Sequence, residues 1–260
     1  MNSTRAAVTF DLWHTLVYLE PPDEENYMRR QVEAAVRVIS DSPLLPGSPA
    51  ATGQTVKVAF EQEYAAAVAA SGEGRSVTPA EQLVGAARRV GRVARPDAYV
   101  EELRKLVGAT PFRVAPDALT VLKDLKGEGY AIGIISNTVG EPGRFLRPIL
   151  HRMGFDDLVQ SYVFSDEHPW TKPSPEIFRF ALRSVGSAPT MAVHVGDGWS
   201  DIEGARRAAF VASVLFTGLQ RYGERYRQLF LLSERYPWGA GYQVRTLPEV
   251  VPIVARLLPH

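Results

Sequence analysis

Asp11 ends a short apolar run, Ala7-Val8-Thr9-Phe10, and Thr15 follows it four residues later. A carboxylate at the end of a buried strand is costly unless its charge is used or paired. It can serve as a nucleophile or a metal ligand, or merely cap the turn. A second stretch, Ser136-Asn137-Thr138, closes another apolar run and offers a hydroxyl and successive backbone N–H groups to an anionic oxygen. A strand-ending turn would explain it equally well. In Thr171-Lys172-Pro173-Ser174-Pro175-Glu176-Ile177-Phe178, Ser174 and Pro175 make a good helix start. That accounts for everything except Lys172, whose fixed positive charge can stand beside Asp11 and a substrate anion. The fourth stretch, Val195-Gly196-Asp197-Gly198-Trp199-Ser200-Asp201, sets two carboxylates four residues apart across a turn and a helix start. Asp201 alone reads as an N-cap; paired with Asp197 it makes a hard-oxygen site suited to Mg²⁺.

These residues need elements that bring them together. Between the first and second stretches, roughly residues 22–109 read as helix upon helix with no strand. Met28, Val32, Ala35, Val36 and Ile39 fall at helical spacing, as do Val56, Ala59, Phe60, Tyr64, Ala67 and Val68. A Pro-rich segment at 42–49 separates these two helices. A third starts at the capping box Thr78-Pro79-Ala80-Glu81, and a fourth runs from about Pro96 to Val107, ending at Gly108. The result is a four-helix insert. From Pro116 the rhythm alternates: helices near 116–127, 142–153, 174–185 and 201–208 lead to strands near 129–136, 161–165, 190–196 and 210–216. A short strand at 242–244 and a helix near 248–258 close the chain. Continuous apolar strands between helices imply a parallel sheet covered on both faces. In such a sheet ligands lie beyond the carboxyl ends of the strands, where Asp11, Ser136 and Asp197 all fall.

Composition narrows the partners. Lys+Arg and Asp+Glu are equal at 29 each, so no overall field recruits nucleic acid or an anionic membrane. The absence of cysteine removes disulfides, thiolate metal sites and thiol nucleophiles, and suits a cytoplasmic setting. The first strand begins about six residues in, leaving no room for a signal peptide. No apolar run approaches the roughly 18–20 residues of a membrane span. Residues 219–240 crowd Arg221, Tyr222, Arg225, Tyr226, Arg227, Arg235, Tyr236 and Trp238 together. Interleaved arginines and aromatics can bind nucleic acid, but Leu229, Phe230 and Leu232 need burial, which favours an amphipathic helix packed on the core.

Taken in order, Asp11-x-x-x-Thr15, Ser136, Lys172-Pro-x-Pro-Glu-Ile-Phe and Gly196-Asp197-x-x-x-Asp201 resemble the four motifs of the haloacid dehalogenase (HAD) superfamily, from Val8 to about Leu215. The resemblance implies an α/β fold, a Rossmann-like parallel-sheet core with helices on both faces and an α-helical cap. The core would comprise residues 1–20 and 110–260 and the cap residues 21–109. It implies a hydrolase that forms a covalent intermediate at Asp11 on a small phosphorylated molecule. Ser136, Asn137 and Lys172 would hold the transferring group, and Asp11, Asp197, Asp201 and the backbone carbonyl of Trp13 would bind Mg²⁺.

Position 13 departs from that pattern. Phosphatases of this family usually place a second Asp two residues after the nucleophile, as general acid and base; this chain has Trp13. The neighbouring His14 has a suitable unperturbed pKa, but adjacent side chains generally point to different sides. Two alternatives to a Mg²⁺-dependent phosphatase follow. A 2-haloacid dehalogenase also uses an Asp nucleophile, needs no acid for a departing halide, and tolerates an aromatic residue at this position; the Asp197–Asp201 pair argues against it. The other is a non-catalytic HAD-like protein that binds a phosphorylated ligand or a protein partner. A phosphonate hydrolase would need a cap lysine, for which only Lys57 and Lys105 are available.

Overall fold

A computed structural model describes residues 5–219 and 241–258. The first strand, β1 (Ala7–Phe10), is buried at all four positions. Two partners sandwich it in parallel: β4 (Ala131–Ser136) on one side and β6 (Ala192–Gly196) on the other. The sheet extends through β5 (Ser161–Phe164), which follows α6 (Gly143–Arg152), beyond β4, and through β7 (Ala212–Phe216) and β8 (Tyr242–Val244) beyond β6. The order is β5-β4-β1-β6-β7-β8, with every neighbouring pair parallel. Both faces are covered, so the strands are continuous apolar runs rather than alternating ones. One face packs Val8, Phe10, Ile132, Ile134, Val193 and Val195 under α5 (Ala118–Gly127) and α9 (Val250–Leu257). The other packs Ala7, Ala131 and Ile135 against Ile177, Phe178 and Ala181 of α7 (Pro175–Ser184) and Ala205 of α8 (Trp199–Arg207). Each fully buried large aliphatic or aromatic side chain contributes roughly 1.5–3 kcal/mol. The layer that fixes β1 therefore far outweighs the cost of ending it on a carboxylate.

The expected helical insert is present as α1 (Pro21–Ser40), α2 (Gly53–Gly72), α3 (Pro79–Arg89) and α4 (Pro96–Ala109). They enclose an apolar cluster of their own, including Val32, Ile39, Val56, Phe60, Leu83, Tyr99 and Leu103. Thr78 and Glu81 form the capping box read from the sequence, with Pro79 in the first turn. An antiparallel ribbon of two-residue strands, β2 (Val17–Tyr18) and β3 (Arg113–Val114), joins the insert to the sheet. Hydrogen bonds also cross between the layers: Gln31 Nε2 donates to Gly140 O (3.1 Å) and Gln82 Nε2 to Val139 O (2.7 Å). From the sheet side, Thr171 N donates to Gly74 O (3.1 Å).

Element ends differ from the sequence reading by a residue or two. The helix expected at 201 begins at Trp199, because Gly198 is its N-cap and the Asp201 carboxylate reaches back to the Gly198 N–H at 3.1 Å. From residue 220 to 240, the Arg- and aromatic-rich stretch expected to form an amphipathic helix lies outside the described residues. No helix among the described residues is long and apolar enough to cross a membrane.

Candidate active site

Asp11 follows β1 at the centre of the sheet and is held by its own N–H, which donates to Val195 O at 2.8 Å. Asp11 is buried, and its carboxylate receives a short hydrogen bond from the Lys172 ammonium. The same ammonium donates to Asp201 Oδ1 at 2.6 Å. One oxygen from each of Asp11, Asp197 and Asp201 lies within 4.8 Å of the others. Three hard oxygen donors at that spacing suit a divalent cation with oxygen ligands. They are the three carboxylates of the expected donor set, which also included the Trp13 carbonyl, and come from the ends of β1 and β6 and the first turn of α8.

Burial and charge set the ionisation. Burial raises the pKa of Asp11, the Asp201 charge adds to the rise, and Lys172 opposes both. For Lys172, burial disfavours the ammonium, but Asp11 and Asp201 outweigh it and its pKa is raised. Asp201 moves down despite its burial, held by the Lys172 charge and by His194. His194 is fully buried; its Nε2 lies 3.1 Å from Asp201 Oδ1 and its Nδ1 lies 2.8 Å from Thr9 Oγ1. The pair Thr9 and His194 sit opposite each other in the β1–β6 register. This strut was not read from the sequence; the signal was one polar residue inside an apolar strand. Gly196 is the matching small residue, since a Cβ there would overlap the Asp201 carboxyl.

Asn137 follows β4 and grips the Lys172 backbone from both ends of its amide. Lys172 N donates to Asn137 Oδ1 (2.9 Å), while Asn137 Nδ2 donates to Lys172 O (3.0 Å) and to Ser71 Oγ of α2 (3.3 Å). Ser136 is fully buried, and its Oγ, like that of Thr15, has no hydrogen-bond partner among the described residues.

A cavity of about 510 Å³ opens above these groups, between the sheet and the helical insert. Asp11, Trp13, Asn137, Lys172, Asp197 and Asp201 line it; Ser136 does not. Trp13 and His14 both line it, contrary to the expectation that adjacent side chains diverge. The cause is the left-handed backbone of His14, at φ 57°, which breaks the alternation. His14 Nε2 lies 2.9 Å from Glu24 Oε1 in the first turn of α1. Trp13 packs on Phe112, with centroids 5.2 Å apart. Glu141, in the loop after β4, also lines the cavity and is only 6% exposed. Its Oε2 accepts from Gln31 Nε2 (3.3 Å) and Tyr27 Oη (3.4 Å), both on α1. Burial pushes its pKa up to about 8, although Gln31, Tyr27 and Trp13 hold it down by hydrogen bonding. Nothing in Gly140-Glu141-Pro142-Gly143 beyond a turn signal marks this residue in the sequence.

With this geometry in place, the comparisons with known proteins bear directly on it. Residues 6–209 match the haloacid dehalogenase-like hydrolase family. The chain belongs to that family. A glyceraldehyde 3-phosphate phosphatase of Pyrococcus furiosus is 35% identical over 148 residues, 56% of this chain and 57% of that protein. This chain thus spans little more than half the length of that relative. A phosphoglycolate phosphatase of Rhodospirillum rubrum is 30% identical over 215 residues, covering 83% of this chain and 81% of its own. The crystal structure of a HAD phosphatase from Thermococcus onnurineus superposes with a TM-score of 0.61 at 20% identity, covering 96% of this chain and 97% of that one. The HAD hydrolase therefore has the parallel-sheet core and helical cap that its motifs implied.

Proposed function

We propose that this HAD hydrolase cleaves a small phosphate monoester through an aspartyl phosphate formed on Asp11. The observation that carries the reading is the three-carboxylate cluster of Asp11, Asp197 and Asp201, set around the Lys172 ammonium at the floor of a cavity. Residues 1–20 and 110–260 act as the catalytic core and residues 21–109 as a cap over it. An Asp11 oxygen attacks phosphorus while the bond to the ester oxygen breaks in line; the alkoxide leaves with that electron pair and takes a proton from solvent to become the alcohol. Water then attacks the phosphorus of the aspartyl phosphate, releasing inorganic phosphate and restoring the carboxylate. Lys172 neutralises charge on the transferring oxygens. Asn137 fixes the Lys172 backbone, and the orphan hydroxyl of Ser136 supplies a polar contact behind the site. Asp11, Asp197, Asp201 and the Trp13 carbonyl would hold Mg²⁺, which when bound offsets the charge of the phosphoryl group.

Trp13 favours one competing reading, release of halide from a 2-haloacid, because an aromatic side chain occupies the place of the usual acid. The carboxylate cluster weighs against it, since that reaction needs no metal. Assay of phosphate monoesters and 2-haloacids, each with Mg²⁺ and with chelator, separates the two. The phosphatase reading expects Mg²⁺-dependent phosphate release that Asp11→Asn abolishes. Halide release insensitive to chelator would replace it with the dehalogenase.

A further inference from the structure

The cavity above Asp11 is much larger than a phosphoryl group requires, and its walls say what fills the remainder. Away from the carboxylate cluster it is built from apolar and aromatic side chains, among them Leu19, Met28, Tyr64, Val68 and Val139. At about 510 Å³ it has the size of a pocket that encloses a whole organic ligand. Its basic side chains already have partners at the floor and rim. Lys172 is bound by Asp11 and Asp201, and His14 by Glu24. Among the described lining residues there is no arginine and no second lysine. Among the described residues, a carboxylate or second phosphate on the substrate would leave water without a free cation to meet it, which is heavily penalised. Glu141, in the loop after β4, lines the cavity beside Val139 and is fixed by Gln31 and Tyr27 of α1.

We propose that the substrate is the phosphate monoester of a bulky, uncharged, largely apolar alcohol, and that Glu141 meets a hydroxyl or amide on that alcohol. This rests on the phosphatase reading above and specifies the leaving group.

The test compares benzyl phosphate, benzyl phosphate bearing a ring hydroxymethyl group, and 2-phosphoglycolate. All three are alkyl esters, so the leaving-group chemistry is matched. Acetyl phosphate serves as a control that needs no body-binding contact. The wild type is expected to show kcat/KM for benzyl phosphate at least about tenfold above phosphoglycolate. The hydroxymethyl ester should gain about another tenfold, the worth of one good hydrogen bond. Glu141→Leu should erase that second gain, chiefly through KM, read as the ratio of the two benzyl esters within the folded variant. Ala69→Arg, at an exposed position on α2 that lines the cavity, adds the missing cation and should shift preference toward phosphoglycolate. Equal or reversed preference in the wild type, or turnover of acetyl phosphate alone, overturns the substrate class. An unchanged hydroxymethyl preference in Glu141→Leu overturns the role of Glu141. If even acetyl phosphate is not hydrolysed with Mg²⁺ present, the phosphatase reading itself fails.

Discussion

Glu141→Gln should change how stability depends on pH, and the size follows from where Glu141 sits. The carboxyl is buried against α1, and its pKa rises from 4.5 to about 8 in the folded chain. Between those values the folded protein holds a proton that the unfolded chain has lost, so folding stability falls as pH rises. The contribution is fully present below about pH 4.5 and gone above about pH 8. At about 1.36 kcal/mol per pH unit the whole rise amounts to roughly 5 kcal/mol. Water in the open cavity screens part of this, so about 2–5 kcal/mol is expected. Glutamine keeps the shape and an acceptor for Gln31 and Tyr27 but cannot ionise. Unfolding in urea at pH 5, 6, 7 and 8, with chelator present, gives each free energy by linear extrapolation. The two proteins should be comparable at pH 5, and Glu141→Gln should gain progressively on the wild type up to pH 8. Comparing the two removes the titration of Asp11 and every other shared group. A difference that stays flat within about 0.5 kcal/mol across that range would refute the argument.

Other substitutions probe the remaining parts of the site. Lys172→Met leaves Asp11 and Asp201 buried side by side without their cation, and should cost about 3–5 kcal/mol in metal-free urea unfolding; an unchanged midpoint would contradict the electrostatics described. His194→Phe breaks the strut from Thr9 to Asp201 and should cost about 1–3 kcal/mol. It should also weaken Mg²⁺ binding about 10–100-fold, read as a smaller Mg²⁺-induced rise in Tm; an identical Mg²⁺ titration would remove His194 from that role. General acid catalysis contributes about 10²–10⁴-fold and most for poor leaving groups, so the wild type should favour nitrophenyl or acetyl phosphate over alkyl phosphates. Trp13→Asp should narrow that ratio in folded protein, and a ratio that does not move would mean another group donates the proton.

Much of the site was legible because its residues end apolar runs. Asp11 and Asp197 announce themselves as carboxylates at strand ends, and Lys172 as a residue its helix start does not need. In a parallel sheet such strand ends share one edge, so the sequence alone brings Asp11 and Asp197 together. Ser136 was legible as a strand-end hydroxyl; its full burial, outside the residues that line the cavity, comes from the packing of β4 between β5 and β1. Trp13 and His14 show the limit of alternation, since one residue with positive φ turns two neighbours toward the same space. Glu141 was hidden because its partners, Tyr27 and Gln31, lie more than a hundred residues away, and only the docking of α1 on the loop after β4 makes it a buried acid. The β2–β3 ribbon was too short to carry any period at all.

The central claim, that Asp11 is the nucleophile of a phosphoryl transfer, is tested most directly by trapping the intermediate. The protein is mixed with Mg²⁺ and radiolabelled acetyl phosphate, quenched in acid within a turnover, and digested. The account predicts label on the peptide containing Asp11, released by hydroxylamine as an acyl phosphate should be, and absent from Asp11→Asn. Sustained phosphate release with no label on that peptide, or equal release by Asp11→Asn, would contradict it.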